Sequence, residues 1–412
     1  MAVTVIVLIL VLPLLLITGF FACELLIGLA TGRTRYGASD EQAVKARAII
    51  VVPAHNEEAI LAGSLGELAA SAQDIPILLI ADNCSDRTAE IARGCGVRVV
   101  ERFDAVKRGK GFALARAAEE LAGEKVDVVI VVDADCRIDQ TSLRALVAAV
   151  VTRGAPAQAL NWMKNDGDTT PMVKISNFAL LLKNLVRQRG LQRMIGQVHL
   201  TGTGMAIPGR LFTPDHFATA SIVEDMKVGL DLAEQGHPAV LVEQAKVWSM
   251  PSDREGTIEQ RKRWEGGYFT LARSVVPPTL WRGVRLGQWR AIGIALDLAI
   301  PPLVLFVLAS GAALVGEALL AWLTPLSWGV VAIHLALFAA CAVGIVLAWW
   351  KEGRALVGLS DLLRIPAYIL WKIPLYLGLM REGSPRAWAR ATRTEERTAG
   401  KPTDRADPSA DA

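Results

Sequence analysis

The sequence predicts an α/β domain built on a mostly parallel sheet with flanking helices, set between transmembrane α-helices at both ends of the chain. Three observations carry that prediction. The 412 residues are 52% hydrophobic and only 21% charged, with a mean hydropathy of +0.36, too apolar for an ordinary soluble protein. The apolar excess is concentrated near the two ends. Between about Val44 and Val276, short β-branched runs alternate with segments of helical hydrophobic spacing, the pattern of a parallel sheet covered by helices. The 44 Lys+Arg against 41 Asp+Glu leave a formal net charge of +3, which gives no footprint for a nucleic acid. Cys23, Cys84, Cys95, Cys136 and Cys341 include no C-x-x-C pair. Their scatter excludes a disulfide framework and a zinc knuckle, and it fits a reducing compartment.

From Met1 to Cys23 no side chain is charged, and roughly 20 apolar residues suffice for a helix to cross a bilayer. The length of the run and the lack of a basic leading segment favour an uncleaved anchor, residues 1–30, over a signal peptide. Arg33, Arg35, Lys45 and Arg47 follow, so the positive-inside rule places its end in the cytoplasm. Ala291–Val315 is apolar apart from Asp297, and Ala318–Trp350 carries no charged residue. Arginines precede this pair and Lys351 and Arg354 follow it, so 291–350 reads as a transmembrane hairpin with both ends inside. Val357–Met380 is apolar but holds Asp361, Arg364, Pro366, Lys372 and Pro374. A re-entrant or interfacial element over 357–380 is preferred to a third span, because it keeps the basic tail inside. Residues 381–412 form a cytoplasmic tail whose end is too polar to bury a core. The pattern is that of an integral membrane protein with a cytoplasmic middle domain, and the expected location is a bacterial-type inner (plasma) membrane.

Within that domain, 44–276, Ala48–Val52 reads as a strand and Ala59–Ser71 as a helix. Ile75–Ala81 (strand), Thr88–Gly94 (helix), Val97–Arg102 (strand), Gly111–Ala122 (helix) and Val126–Val132 (strand) continue the alternation. Ligands of such sheets bind outside the carboxyl ends of the strands. No G-x-G-x-x-G follows the first strand and no P-loop is present, so a Rossmann cofactor and a Walker-type nucleotide site are disfavoured. Val132-Asp133-Ala134-Asp135 places two carboxylates one residue apart where a buried strand ends, suited to a hard divalent ion. Asp82-Asn83-Cys84-Ser85-Asp86 is a turn and helix cap in which Asp82, nearest the strand, is the candidate for a base or ribose. Glu224 and Asp225 open a helix, Asp225–Gln235, where acids commonly serve as caps. Gln260-Arg261-Lys262-Arg263-Trp264 joins fixed cations to an aromatic face, and 255–290 also has the look of an interfacial helix. The five histidines show no ligand spacing.

Pro53-Ala54-His55-Asn56-Glu57-Glu58, Asp82, Arg108-Gly109-Lys110-Gly111, Asp133/Asp135, Gly202-Thr203-Gly204, Glu224-Asp225 and Gln260–Trp264 as Q-x-x-R-W occur in that order. The set resembles the membrane-bound inverting glycosyltransferases of family two, a group that includes chitin-oligosaccharide, hyaluronan, poly-N-acetylglucosamine and cellulose synthases and ceramide glucosyltransferase. The resemblance covers roughly 46–270 and implies a GT-A-like sheet. It implies that Pro53, Ala54, Glu57, Asp82, Lys110, Asp133 and Ala134 bind a UDP-sugar donor, and that Asp133 and Asp135 hold Mg²⁺ or Mn²⁺. Asp225 would be the general base, with Gly204, Glu224, Gln260, Arg263 and Trp264 serving the diphosphate and the acceptor. Two positions depart from the family pattern: Ala81-Asp82-Asn83-Cys84 stands where D-D-G-S is frequent, and Val223 replaces the threonine of T-E-D.

The expected activity is sugar transfer from the donor to a membrane lipid or lipid-linked saccharide, in cell-surface polysaccharide or glycolipid assembly. A processive synthase of the same family is the nearest alternative. A non-catalytic membrane scaffold retaining a nucleotide-binding fold is the alternative of a different class, and the intact acidic set speaks against it.

Overall fold

The computed structural model describes residues 2–30, 45–165, 169–249, 254–324 and 327–382. Arg33, Arg35, the Pro325-Leu326 break and the tail from 383 lie outside the described residues. Among the described residues the sheet has eight strands: β1 (Ala48–Ala54), β2 (Ile77–Asp82), β3 (Arg98–Arg102), β4 (Val128–Val131), β5 (Cys136–Ile138), β6 (Ala157–Met163), β7 (Met205–Pro208) and β8 (Val240–Ser249). Their order is β3-β2-β1-β4-β7-β6-β8-β5.

The first half is wholly parallel, with β1 flanked by β2 and β4 and β3 beside β2. Strands β2 and β4 are buried on both faces, which explains why they read as continuous Val/Ile/Leu runs without alternation. The helices Glu58–Ala72, Thr88–Gly94 and Lys110–Leu121 fall within a residue of their expected bounds. The second half is mixed. Strand β7 runs antiparallel to β4 and β6, β5 antiparallel to β8, and only β6 and β8 are parallel. The core beneath the sheet joins Ile50, Val52, Leu79 and Ile130 to Leu61 and Leu65 of the helix Glu58–Ala72 and to Leu143 and Leu146 of the helix Gln140–Arg153.

The chain packs as two compact units. One contains the sheet and runs to Val173, then from His199 to Gly267; the other joins the N-terminal helix to Lys174–Val198 and Tyr268–Glu382. The domain expected over 44–276 is therefore discontinuous and closes at Gly267. The helical segment Pro171–Ile195, with a π-turn at Leu182–Arg187, is the piece it gives up beyond Val173. Close helix approach explains why. A β-carbon on Gly28 would lie 2.1 Å from Val186 O, and one on Gly190 would lie 2.1 Å from Glu24 O. Paired glycines let two backbones touch, the packing device of membrane helices.

Among the described residues, three helices are long and apolar enough to cross a membrane: Val11–Ala30, Leu303–Leu323 and Trp328–Gly353. Within the stretch 291–350, the helix long and apolar enough to cross begins at Leu303, where the apolar run itself begins at Ala291. Pro301 and Pro302 supply no backbone N–H and end the preceding helix, Trp289–Ala299. The apolar part of the last helix, Ile365–Leu379, is shorter than the roughly 20 residues a span requires.

Candidate active site

The parallel half of the sheet brings four strand ends to one edge. Ala54, Asp82, Arg102 and Val131 close β1, β2, β3 and β4. In the order β2-β1-β4, Asp82 and the loop after β4 stand two strand spacings apart, about 10 Å. Asn56 and Asn83, just past β1 and β2, have φ of 53° and 50°, a conformation that asparagine tolerates better than other side chains. Their amides tie the loops together. Asn56 Oδ1 accepts from Ser85 N at 2.8 Å, Asn83 Oδ1 accepts from Asp104 N at 2.8 Å, and His55 Nδ1 lies 2.7 Å from Asp82 O.

After β4 the chain turns rather than extending. Cys136 N donates to Asp133 O at 2.9 Å, so a tight turn brings Asp133 and Asp135 together, in place of the extended alternation expected from sequence. Carboxylate oxygens of Asp133 and Asp135 and the Cys136 sulfur lie within 4.8 Å of one another. The two carboxylates fit a hard divalent ion that keeps waters and phosphate oxygens. Ala134, between them, is buried.

The third wall is the loop Thr201–Gly204. Gln158, buried on β6, donates to Thr203 O at 2.9 Å and accepts from Thr201 N at 2.8 Å. Asp133 N donates to Thr203 Oγ1 at 3.1 Å. Gly204 has φ 63°, and a β-carbon there would meet Val247 Cγ1 at 2.5 Å, so only glycine fits. Gly202 O accepts from Lys110 Nζ at 2.8 Å, and the same ammonium is 2.5 Å from Asp133 Oδ1. A β-carbon on Gly202 would lie 3.1 Å from Asp225 Oδ2 and 3.2 Å from Lys110 Nζ. Lys110 and Asp225 therefore converge on one point of this loop.

Electrostatics extend the group. Burial alone would lower the pKa of the Lys110 ammonium, but Asp133, Glu224 and Asp225 outweigh it and raise it. Burial, then Asp225 beside it, pushes the Glu224 carboxyl up to about 8. Burial raises Asp133 against the pull of Lys110, and lowers Arg263, whose guanidinium feels Glu224, Asp135 and Asp133 in return.

Of the residues named from sequence, the structure gathers Lys110, Asp133, Asp135, Glu224, Asp225 and Arg263, with Gly204 in the supporting loop. Asp82 is not in that group. It is buried at the end of β2 and paired with Arg102 at 2.6 Å. Pro53 and Ala54 end β1, and Glu57 N donates to Thr88 Oγ1 at 2.7 Å. Trp264 lies beside Arg261, whose guanidinium is 5.0 Å from the ring centre. Gln260 Oε1 is buried without a hydrogen-bond partner among the described residues. Sequence reasoning missed Arg102, Cys136 and Gln158. Cys136 carried a signal, its adjacency to Asp135, whereas Arg102 and Gln158 act across strands.

The model of the family described as Glycosyltransferase like family 2 matches residues 46–267, more than half of the chain. The chain belongs to this family. No curated protein matches it. Among solved structures, it is similar to a mannosyltransferase from Pyrobaculum calidifontis in complex with GDP-Man and Mn²⁺, at 16% identity over 89% of this chain and 97% of that one, with a TM-score of 0.49. It is also similar to glucosyl-3-phosphoglycerate synthase from Mycobacterium tuberculosis in complex with Mn²⁺, UDP and glucosyl-3-phosphoglycerate, at 18% identity over 59% and 86% of the two chains, with a TM-score of 0.40. The family's match ends at Gly267, where the sheet-bearing unit also ends.

Proposed function

We propose that this family member transfers a sugar, with inversion, from a nucleotide-diphosphate sugar, UDP-sugar first, to a membrane lipid or lipid-linked saccharide acceptor of cell-surface assembly. The observation that carries the reading is the convergence of Asp225 and Lys110 on Gly202, with Asp133 held by the same ammonium. Inversion is a displacement at the anomeric carbon. The bond to the diphosphate oxygen breaks with its electron pair, the acceptor oxygen bonds from the opposite face, and the acceptor proton goes to a base. Asp225, half-buried with Oδ1 accepting from Met226 N at 2.8 Å, is that base. Positioned carboxylates of this kind contribute about 10²–10⁴-fold.

Lys110 and Arg263 are the chain's own cations for the leaving diphosphate, acting where burial makes electrostatic stabilisation strong. Asp133 and Asp135 would hold Mg²⁺ or Mn²⁺, which supplies further neutralisation of that charge. Asp82, kept rigid by Arg102, faces the base or ribose with Pro53, Ala54 and Glu57 around it, and Ala134 lies along the donor. Gln260, Glu224 and Trp264 serve the acceptor side. The three apolar helices among the described residues support an integral membrane protein, and the basic residues that flank the apolar segments favour an orientation with the sheet-bearing unit in the cytoplasm.

The test is incorporation of label from a panel of radiolabelled UDP-sugars, and GDP-sugars beside them, in membranes with Mg²⁺ or Mn²⁺. Expected are transfer from one donor and its loss on chelation with EDTA, restored by the metal. No incorporation from any donor, or full activity in Asp225→Asn, would overturn the reading. Mass spectrometry of the product identifies the sugar and shows whether one unit or a chain is added.

A further inference from the structure

Lys110 does more here than wait for a phosphate. Its ammonium sits 2.5 Å from Asp133 Oδ1 and donates to Gly202 O at 2.8 Å, and Asp225 Oδ2 closes on the same spot. Its side chain is only 13% exposed, whereas that of Asp133 is 32% exposed. One charge thus covers an oxygen of a carboxylate that the proposed metal site needs. A divalent ion approaching Asp133 and Asp135 meets a cation already bound there, and like charges at such spacing repel strongly when partly desolvated. A diphosphate, which carries more negative charge than one carboxylate, is a group that can draw the ammonium away.

We propose that Lys110 makes divalent-cation and diphosphate binding interdependent, competing with the cation for Asp133 and surrendering that carboxylate when a diphosphate engages its ammonium. The inference rests on the reading of the site given above and deepens it. The sequence supplies the means for the movement. Lys110 opens the helix Lys110–Leu121 immediately after Gly109, whose φ is 118°, a backbone conformation open to glycine alone. Gly111 packs under Phe217 O and Thr219 O, where a β-carbon would fall at 2.7 and 2.6 Å, so the helix start is held fixed while the long lysine side chain is free to exchange partners. Reciprocity follows from thermodynamics: if a diphosphate tightens the metal, the metal tightens the diphosphate by the same factor.

The two ligands should respond to loss of the charge in opposite directions, which a merely structural role of Lys110 would not produce. With the purified full-length chain in lipid nanodiscs, Mn²⁺ binding is read from the electron paramagnetic resonance of free Mn²⁺, and UDP or GDP binding by calorimetry, each ligand alone and then together. In Lys110→Met, Mn²⁺ alone should bind about 5–150-fold more tightly than in the unaltered chain, the usual span of site coupling. The nucleotide alone should bind more weakly, and the coupling factor should shrink. Lys110→Arg, which keeps the charge, should restore weak binding of Mn²⁺ alone. A Lys110→Met chain that binds Mn²⁺ alone no better, while still binding the Mn²⁺–nucleotide pair, overturns this inference and leaves the site reading intact. Failure of the unaltered chain to bind Mn²⁺ with either nucleotide overturns both. Equal loss of both ligands in Lys110→Met, with an unchanged melting temperature, overturns the competition and makes Lys110 a plain phosphate ligand.

Discussion

Among the buried charged groups of the described residues, two, one in each unit, are closed off to different degrees. In the helical unit, Glu24 and Asp297 hold Arg187 at 2.9 and 2.7 Å, and the Tyr268 hydroxyl donates to Ile300 O at 2.9 Å. Glu24 and Asp297 are almost wholly enclosed. In the sheet-bearing unit, Asp133, Asp135 and Asp225 are only half-buried; Lys110 feels Asp133, Glu224 and Asp225, and Arg263 feels Glu224, Asp135 and Asp133. Sealed, mutually bonded charges fasten helices together, because breaking the set would strand a charge in an apolar interior. Half-open carboxylates, with the cation at one of them placed to change partners, can take a ligand. Burial alone does not separate a structural network from a site; access does.

The largest effect expected on either group is chemical. Asp225→Asn should lower turnover by about 10²–10⁴-fold with little change in melting temperature, since the carboxylate is half-buried and its isostere fills the same space. If melting falls as far as activity, the site group is structural too and the contrast fails. Next comes Arg187→Met, which leaves Glu24 and Asp297 facing each other without their cation. It should cost about 3–5 kcal/mol, read as loss of detergent-solubilised folded protein, while Mn²⁺–nucleotide binding by the fraction that folds is unchanged. An intact melting curve would show that the helical network is not a fastening.

The smallest effect sharpens the comparison through pH. Glu224 titrates at about 8 in the folded chain against an ordinary 4.5, so the folded state keeps a proton that the unfolded chain gives up. Stability should therefore fall as pH rises between about 4.5 and 8. Glu224→Gln removes that contribution, so its melting temperature should decline less over this range than that of the unaltered chain. Parallel curves would mean that Glu224 is not held out of water.

Much of the parallel half was legible. Thr88–Gly94 appears with the bounds read from sequence, and the helix after β1 differs by one residue at each end. Continuous apolar strands bounded by turn residues and amphipathic helices announce themselves locally. The mixed half did not, because β5 is three residues long and β7 and β8 pair with strands far away in the chain. Lys174–Val198 was hidden for a related reason. Its longest charge-free run, Ile175–Leu182, is too short to announce a membrane helix, and its place in the helical unit depends on Gly190 meeting Glu24 O, a contact between residues far apart in sequence.

By itself, the amino-acid order determined the class of the chain: apolar segments long enough for a bilayer, an alternating domain between them, and acidic and basic motifs at strand ends and helix starts. These follow from short-range periodicity and from the cost of placing charge in hydrocarbon. Only the tertiary structure decided which of those charges meet. It paired Asp82 with Arg102, set Lys110 on Asp133 and brought Asp225 to Gly202, because ionic and hydrogen-bond partners are chosen by distance in space and no local pattern encodes that distance.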